Sequence, residues 1–598
     1  MVERNYNTNY STHFTNSTNG NQAKNRRLQA VFGLCLLLGS IIIARLFYIM
    51  VIKSDFYSAL AAGSQEIYEQ LVPQRGEIFS KDSRTQELYP LAINKDYFIV
   101  YVDTRFITSR EQAEEMAKKV SDIFGYEGEK RDVVLAAFSK PNDPYEPIEN
   151  KVEQSIVDKL TELDTKSIGF IRKSYRYYPE ESLAAQVLGF VGKDDTGIKE
   201  VGRYGIEGYW EKELAGEGGF IEGIKGASGG LLSIASKSFK PAQNGVDIVL
   251  TIDRTLQYKV CERLLQGMKE YEAESASLVL MNPQTGAILA MCSLPDFDPN
   301  NYSKISSIDV YNNSSIFVPY EPGSIFKPIA MAAAINEGLI TPNSIFHDTG
   351  IKENICTTPI KNALFKVYND QTMTGVLENS INTGMVYVAE LLGAKKFKQY
   401  VEDFGFGVKQ GVEIDFERTG TIDSLSLNKR DTLDCYGATG SFGQGLTTTP
   451  LQMATAFSVI ANGGLLVKPY IIDEVRYDDG YIERTKTKEL RRVISRKTAN
   501  LVAGMLVSVV DNGQAKPAAV KGYYIAGKTG TAQIPGKGGY TLETNHSFVG
   551  FGPVENPKFV LIVKYEKPKR EFSATTAAPV FGDIAKFVLN YLQVPPER

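Results

Sequence analysis

The chain has 598 residues, 43% hydrophobic and 23% charged, with a formal net charge of -4 and a pI near 5.8. That length exceeds one ordinary domain, and the composition is that of a folded protein. The mildly acidic balance excludes a nucleic-acid partner, which needs a basic stripe.

Three histidines, His13, His347 and His546, lie at no metal-ligand spacing and offer little to a Ser-His-Asp enzyme. The cysteines (Cys35, Cys261, Cys292, Cys356, Cys435) are odd in number and never spaced CxxC, so they read as isolated residues without a disulfide framework or zinc site.

The first twenty residues are rich in Asn, Thr and Ser and read as a disordered tail. Leu28 to Ile52 is long and apolar enough to cross about 30 Å of hydrocarbon as a helix. Lys24, Arg26 and Arg27 precede it, which keeps residues 1–27 cytoplasmic and exports the rest. Ala59-Leu60-Ala61 fits a signal-peptidase site, but the apolar run is too long for a cleaved signal, so a retained anchor is expected over 28–52. Arg45 inside the span reads either as a contact to a partner helix or as a side chain snorkelling to the interface.

Residues 53–240 hold short mixed segments. Phe98–Asp103 alternates like a strand, Glu111–Phe124 has helical period, and the glycine-rich stretch Gly216–Gly230 reads as a flexible loop. Residues 241–598 open with a strand at Val246–Ile252 and a helix over Asp253–Glu270. Two strands follow within Ser275–Ser293, joined by the turn Pro283–Gly286. Helices then give way to a strand-rich final third and a helix at Val580–Leu592, leaving no room for a further module. Strands at both ends with helices between predict an α+β domain whose first and last strands share a sheet.

Three kinds of motif compete for the chemistry. Gly522–Thr529 (GYYIAGKT) satisfies the P-loop pattern, but its variable residues are strand-like and GTAQIPG cannot start the helix that must follow. Gly226–Gly230 (GASGG) satisfies GxSxG around Ser228, without the strand that a nucleophile elbow needs.

The third set is Ser324-Ile325-Phe326-Lys327, Ser380-Ile381-Asn382 and Lys528-Thr529-Gly530-Thr531. Ser324 opens the apolar helical run ended by Gly338, which puts Lys327 on its helix face and Ser324 at the positive end of the dipole. A neighbouring neutral amine can take the proton of a serine hydroxyl. The same SxxK spacing recurs at Ser426–Lys429, in a polar segment with no helix behind it. Ser380-Ile381-Asn382 interrupts two helical stretches, and Lys528–Thr531 lies on a strand suited to holding a carboxylate. Gly530 leaves room there for a substrate backbone. Lys528, as a second cation, would also lower the pKa of Lys327. The order SxxK, SxN, KTG is the set of penicillin-binding proteins and class A β-lactamases.

The chain resembles the class B penicillin-binding proteins, in the division-specific FtsI/SpoVD-like group. The resemblance rests on FVPYEPGSIFKPI, SINTG, TGSFGQGLTTTPLQMA and AGKTGTAQ, and upstream on QRGEIFS, RYYPEESLAAQVLGFVG and GRYGIEGYWEKELAGEGG. It implies a transpeptidase domain of serine β-lactamase-like fold over 241–598, a non-catalytic pedestal over 53–240 and one transmembrane helix.

It further implies that Ser324 attacks the carbonyl between the terminal D-alanines of a peptidoglycan stem peptide, with Lys327 as base. Ser380 relays a proton to the leaving amine and Asn382 binds the substrate amide. Lys528, Thr529 and Thr531 grip the terminal carboxylate, with the backbone N–H groups of Ser324 and Thr531 as oxyanion hole. β-Lactams would acylate the same serine. No cofactor or metal is implied. The implied partners are lipid II-derived glycan strands, an FtsW-type SEDS glycosyltransferase and other division proteins, with Arg45 and the pedestal as the expected contact. The alternatives are an elongation-specific transpeptidase, a membrane-anchored β-lactam sensor or hydrolase, and a non-catalytic division scaffold.

Overall fold

The computed structural model describes residues 21–53, 66–197, 199–224, 238–427 and 431–598. It divides into two compact units, Met1–Val72 with Gly218–Ala242 and Pro73–Glu217 with Gln243–Arg598. In the first, the helix Asn21–Phe47 runs into a π-turn at Tyr48–Ile52. Its stretch Val31–Val51 has 21 residues, a mean hydropathy of 2.4 and no buried side chain, and would span about 31 Å. The same unit holds an antiparallel sheet ordered Glu66–Leu71, Gly219–Ile224, Ser238–Lys240. The glycine-rich stretch expected to be a loop is therefore partly strand. Backbone pairing to Glu66–Leu71, whose Leu71 lies opposite Gly219 and 148 residues before it, cannot be read from local composition. Ser228 lies outside the described residues.

In the second unit the expected strand Phe98–Asp103 is the end of a longer one, Leu88–Val102, with Asp103 capping the next turn. The amphipathic helix is Arg110–Phe124, started by the Ser109 cap and ended by Gly125 at φ 68°. It packs with two further helices on Val100, Val102 and Ile168, forming a core separate from the main one.

The larger sheet runs Ile482–Arg484, Ile472–Arg476, Asp247–Leu250, Ile78–Lys81, Leu88–Val102, Glu146–Val152, and Ile168–Tyr177 pairs with Leu88–Val102 off this path. Asp247–Leu250, inside the expected Val246–Ile252, thus joins the sheet of the upstream region. It pairs parallel with Ile78–Lys81 and antiparallel with Ile472–Arg476, so the expected border at 240/241 is crossed by one continuous sheet.

The three upstream motifs meet at one carboxylate. Arg75 of QRGEIFS and Arg176 of RYYPEE close on the fully buried Glu207 of GRYGIEGYW. Arg75 Nε donates to Glu207 Oε2 at 2.8 Å, and Arg176 Nε to Glu207 Oε1 at 2.6 Å. Tyr178 Oη adds a bond at 3.2 Å to Glu207 Oε1. Burial pushes the Glu207 carboxyl up, but the two guanidinium groups outweigh it and hold it below its usual range.

A second sheet of this unit has five antiparallel strands ordered Ile288–Leu294, Ser275–Met281, Phe559–Glu566, Gly539–Gly552, Ala526–Gly536. Within this sheet the first strand in sequence lies beside the last, but the strand that opens 241–598, Asp247–Leu250, is in the other sheet, so the expected sharing of one sheet by the first and last strands is corrected. The helices Arg254–Glu270, capped by Asp253, and Ala577–Tyr591 pack with this sheet. On the other side the buried helices Lys327–Asn336 and Pro450–Ala461 complete the core.

The cysteines correct the reading of isolated residues. Cys261–Cys292 and Cys356–Cys435 are disulfides, and Cys35 is free. The first joins the helix Arg254–Glu270 to the strand Ile288–Leu294. The second bridges 79 residues of sequence. Both pairings depend on which elements pack together, and spacing along the chain carries no trace of that.

Replacing Glu207 by Ala leaves Arg176 without its carboxylate and Arg75 with Glu211 alone, and should cost about 3 kcal/mol. A lowered melting temperature, with early proteolysis within residues 75–215, is the expected readout.

Candidate active site

Ser324 sits in the 3-10 turn Gly323–Phe326, which passes directly into the helix Lys327–Asn336 with Pro328 in its first turn. In a 3-10 turn residues i and i+3 eclipse, so Ser324 and Lys327 share one edge. Gly323 stands at φ 58°, and a Cβ there would come within 2.9 Å of the Ala532 Cβ, so both conformation and space demand glycine. Its N–H donates to the Gly443 carbonyl at 2.9 Å, tying the serine turn to the TGSFGQG loop. Ser324 is half-buried. Among the described residues no hydrogen bond joins its Oγ to Lys327 Nζ.

Lys327 instead reaches the SxN turn. Its Nζ lies 2.6 Å from the Ser380 carbonyl, 2.8 Å from Asn382 Oδ1 and 3.1 Å from Ser380 Oγ. Ser380 occupies the break between the helices Met373–Glu378 and Asn382–Leu392, at φ 55°. A serine in the left-handed region costs of order 1 kcal/mol or more, and the strain turns both its carbonyl and its hydroxyl toward one amine. Lys528 Nζ donates to the same Ser380 Oγ at 3.1 Å.

Both lysines are fully buried. Burial, and then the like charge of Lys528, hold the Lys327 amine well below its ordinary value, and burial pushes Lys528 down to about 7. A neutral Lys327 has two N–H bonds, which its two pure acceptors, the Ser380 carbonyl and Asn382 Oδ1, consume. Its lone pair is then left for a hydroxyl proton.

Lys528 to Thr531 lie on the strand Ala526–Gly536. The Thr529 hydroxyl is 3.4 Å from Lys528 Nζ. The expectation for Gly530 is corrected: a Cβ there would meet Ser547 Oγ at 2.7 Å, Ile325 Cγ2 at 2.9 Å and the Pro322 carbonyl at 3.0 Å. Gly530 lets the strand lie against the serine turn, and the room it leaves is taken by protein. The Thr531 hydroxyl is engaged with Ser573, donating to its Oγ at 3.1 Å and accepting from its N–H at 3.1 Å. Opposite Thr531 in the sheet lies His546, whose imidazole burial lowers to about 4, so it stays neutral between two threonine hydroxyls.

Sequence reasoning missed the supports of these residues. Asn382 Nδ2 donates to the Lys361 carbonyl at 3.0 Å, and the Asn382 N–H to Asn362 Oδ1 at 3.0 Å. Asn362 and Thr383 in turn donate to the buried Asp348 at 2.9 Å and 2.5 Å. Burial pushes the Asp348 carboxyl up, but these bonds, with the N–H groups of Tyr368 and Gly350, outweigh it and keep it low. Glu321 and Tyr540 form a further pair beside the serine turn. Only Glu321, inside EPGS, had any motif signal. The competing Ser426 is exposed at the end of a 3-10 turn, and Lys429 of that copy lies outside the described residues. The P-loop reading also falls, because a strand continues through Lys528 and Thr529 where a helix must begin.

The geometry agrees with the matches to known proteins. Residues 276–586 match the penicillin binding protein transpeptidase domain, and residues 70–250 match the penicillin-binding protein dimerisation domain. The chain belongs to the class B penicillin-binding proteins, in the FtsI group.

Among relatives, stage V sporulation protein D of Bacillus subtilis is 33% identical over 95% of this chain and 86% of its own length. Peptidoglycan D,D-transpeptidase FtsI of Buchnera aphidicola is 29% identical, covering 85% of this chain and 86% of its own. The crystal structure of penicillin binding protein 2X from Streptococcus thermophilus shares the fold at TM-score 0.73 and 21% identity, covering 88% of this chain and 81% of that one.

Lys528→Met removes the like charge beside Lys327, so Lys327 holds its proton to higher pH. The acid limb of penicillin acylation should therefore move upward in pH, in addition to any loss of rate, as read from the pH profile of the acylation constant.

Proposed function

We propose that this class B penicillin-binding protein is a peptidoglycan D,D-transpeptidase that works through an acyl-enzyme on Ser324. The observation that carries this reading is the convergence of SxxK, SxN and KTG on Ser380, with two buried amines bonded to one hydroxyl.

Ser324 Oγ attacks the carbonyl between the terminal D-alanines of a donor stem peptide, and its proton passes to the neutral Lys327 amine. The backbone N–H groups of Ser324 and Thr531 hold the oxyanion, each such donor being worth roughly 10²–10³ in rate. The C–N bond then breaks, and the departing D-alanine amine takes a proton that Ser380 relays from Lys327. An acceptor stem's amine attacks the ester carbonyl, the new amide forms, and Ser324 recovers its proton. Lys528 and Thr529 face the donor's terminal carboxylate, with Thr531 fixed by Ser573 beside them, and Asn382 offers its remaining N–H to the donor amide. β-Lactams acylate Ser324 in the same way.

We place the reaction in septal wall synthesis, because the relatives' names include FtsI and a sporulation protein. The catalytic half lies outside the cytoplasm, with residues 1–27 inside. The apolar helix, the flanking basic residues and two disulfides, which persist in oxidising compartments, support that topology. Arg45, exposed on the apolar helix, is the proposed contact to an FtsW-type SEDS glycosyltransferase.

Fluorescent penicillin should label the purified protein at Ser324, located by peptide mass spectrometry, and Ser324→Ala should abolish the label. An adduct lasting many minutes supports a transpeptidase. Rapid loss of the label would mean a hydrolase, and a Ser324→Ala variant that still complements a deletion strain would mean a scaffold. Separately, Arg45→Leu should weaken co-purification with the glycosyltransferase, and unchanged recovery would sink that contact.

A further inference from the structure

Glu321 is a buried carboxylate with no ion-pair partner among the described residues. It is 8% exposed and stands three residues before the nucleophile. Each oxygen accepts one bond from a different element. The Gly445 N–H donates to Oε1 at 3.0 Å, and the Tyr540 hydroxyl donates to Oε2 at 2.9 Å. Gly445 belongs to the loop whose Gly443 carbonyl receives the Gly323 N–H at 2.9 Å. Tyr540 belongs to the strand Gly539–Gly552, which returns from the hairpin extending the Lys528–Thr531 strand, and it pairs there with Pro535. The serine turn, the 440–445 loop and the hairpin are thus referenced to one carboxylate.

Keeping an unpaired carboxylate there is costly. Burial raises its pKa, and only the bonds from Tyr540 and Gly445 oppose the rise. An apolar residue would fill the space without that cost but could bond to neither Gly445 nor Tyr540. Two polar atoms at the end of one side chain, each bonded to a different element, hold those elements at a fixed separation. Neither Glu321 nor Tyr540 contacts the cluster of Lys327, Ser380 and Lys528. Their effect is on the height of the hairpin beyond Thr531, along which a donor peptide would extend.

We infer that Glu321 is a positioning residue which, through Tyr540 and Gly445, sets the separation of the hairpin from Ser324 and so the affinity for the donor peptide. The inference rests on the acyl-enzyme reading of Ser324, and the test separates the two.

The full-length protein in detergent is titrated with fluorescent penicillin, giving the noncovalent affinity and the acylation rate constant separately. Tyr540→Phe keeps the ring and removes one bond to a carboxylate. It should lower the second-order acylation constant about tenfold, with the loss in affinity and the chemical step within about twofold of wild type. Amide exchange over residues 533–543 should quicken. Glu321→Gln preserves both contacts, its carbonyl accepting from Gly445 and its amide donating to the Tyr540 oxygen, and should stay within about threefold of wild type.

Wild-type acylation at Ser324 is the control, and its absence would overturn the transpeptidase reading itself. With that control intact, three results would each overturn the positioning role. They are a Tyr540→Phe constant within twofold of wild type, a loss confined to the chemical step, and a Glu321→Gln loss as large as that of Tyr540→Phe.

Discussion

Two lysines cannot both carry full charge when they are buried around a single serine hydroxyl, and the active site is organised around that constraint. Lys327 and Lys528 each come within 3.1 Å of Ser380 Oγ, and neither is exposed. Desolvation penalises both ammonium forms and their repulsion adds to it, so at least one amine is pushed to neutrality near physiological pH. A lysine in water would stay protonated and could accept nothing. Burial and a like neighbour together favour its neutral form, which is the form the proposed base needs.

Holding three motifs from distant parts of the chain to this tolerance takes backbone that can come very close. Gly323 and Gly530 supply it, since a side chain at either would strike the other element within 3 Å. The serine turn and the KTGT strand therefore touch through backbone, which is stiffer than contact through long side chains. Ser380 is treated in the opposite way: a non-glycine residue is held in the left-handed region, and the surrounding bonds from Lys327, Asn382 and Asn362 oppose its relaxation. The Asp348 network behind that turn has no part in the chemistry, but it keeps Asn382 facing Lys327.

The upstream region follows a similar logic at larger scale. Three segments spread over residues 74–219 are knotted by one buried Glu207 between two arginines, and the sheet they build continues through Asp247–Leu250 and Ile472–Arg476. The upstream part of the second unit is thus not a bead on a linker. Its sheet takes in Asp247–Leu250 and also Ile472–Arg476, which lies within the residues that match the transpeptidase domain.

The sequence by itself determined which residues form the candidate site. Ser324 and Lys327 at i, i+3 ahead of an apolar helix, Ser380 between two helices and a single KTGT on a strand are local patterns, and local geometry follows from spacing. The apolar helix Asn21–Phe47 was legible from its unbroken apolar run, and the helix Arg110–Phe124 because apolar periodicity reports which face is buried.

Tertiary structure alone decided the rest. Which cysteines join, that Gly530 serves packing, that Thr531 bonds to Ser573, and that Gly219–Ile224 is a strand all depend on residues tens to hundreds of positions away. Lys327 also points at Ser380 and Asn382 more than at its own Ser324. Spacing fixes which residues can share a helix face, but only the packed fold determines where a flexible amine finds acceptors, because burial makes unmet hydrogen bonds costly and so selects the partners.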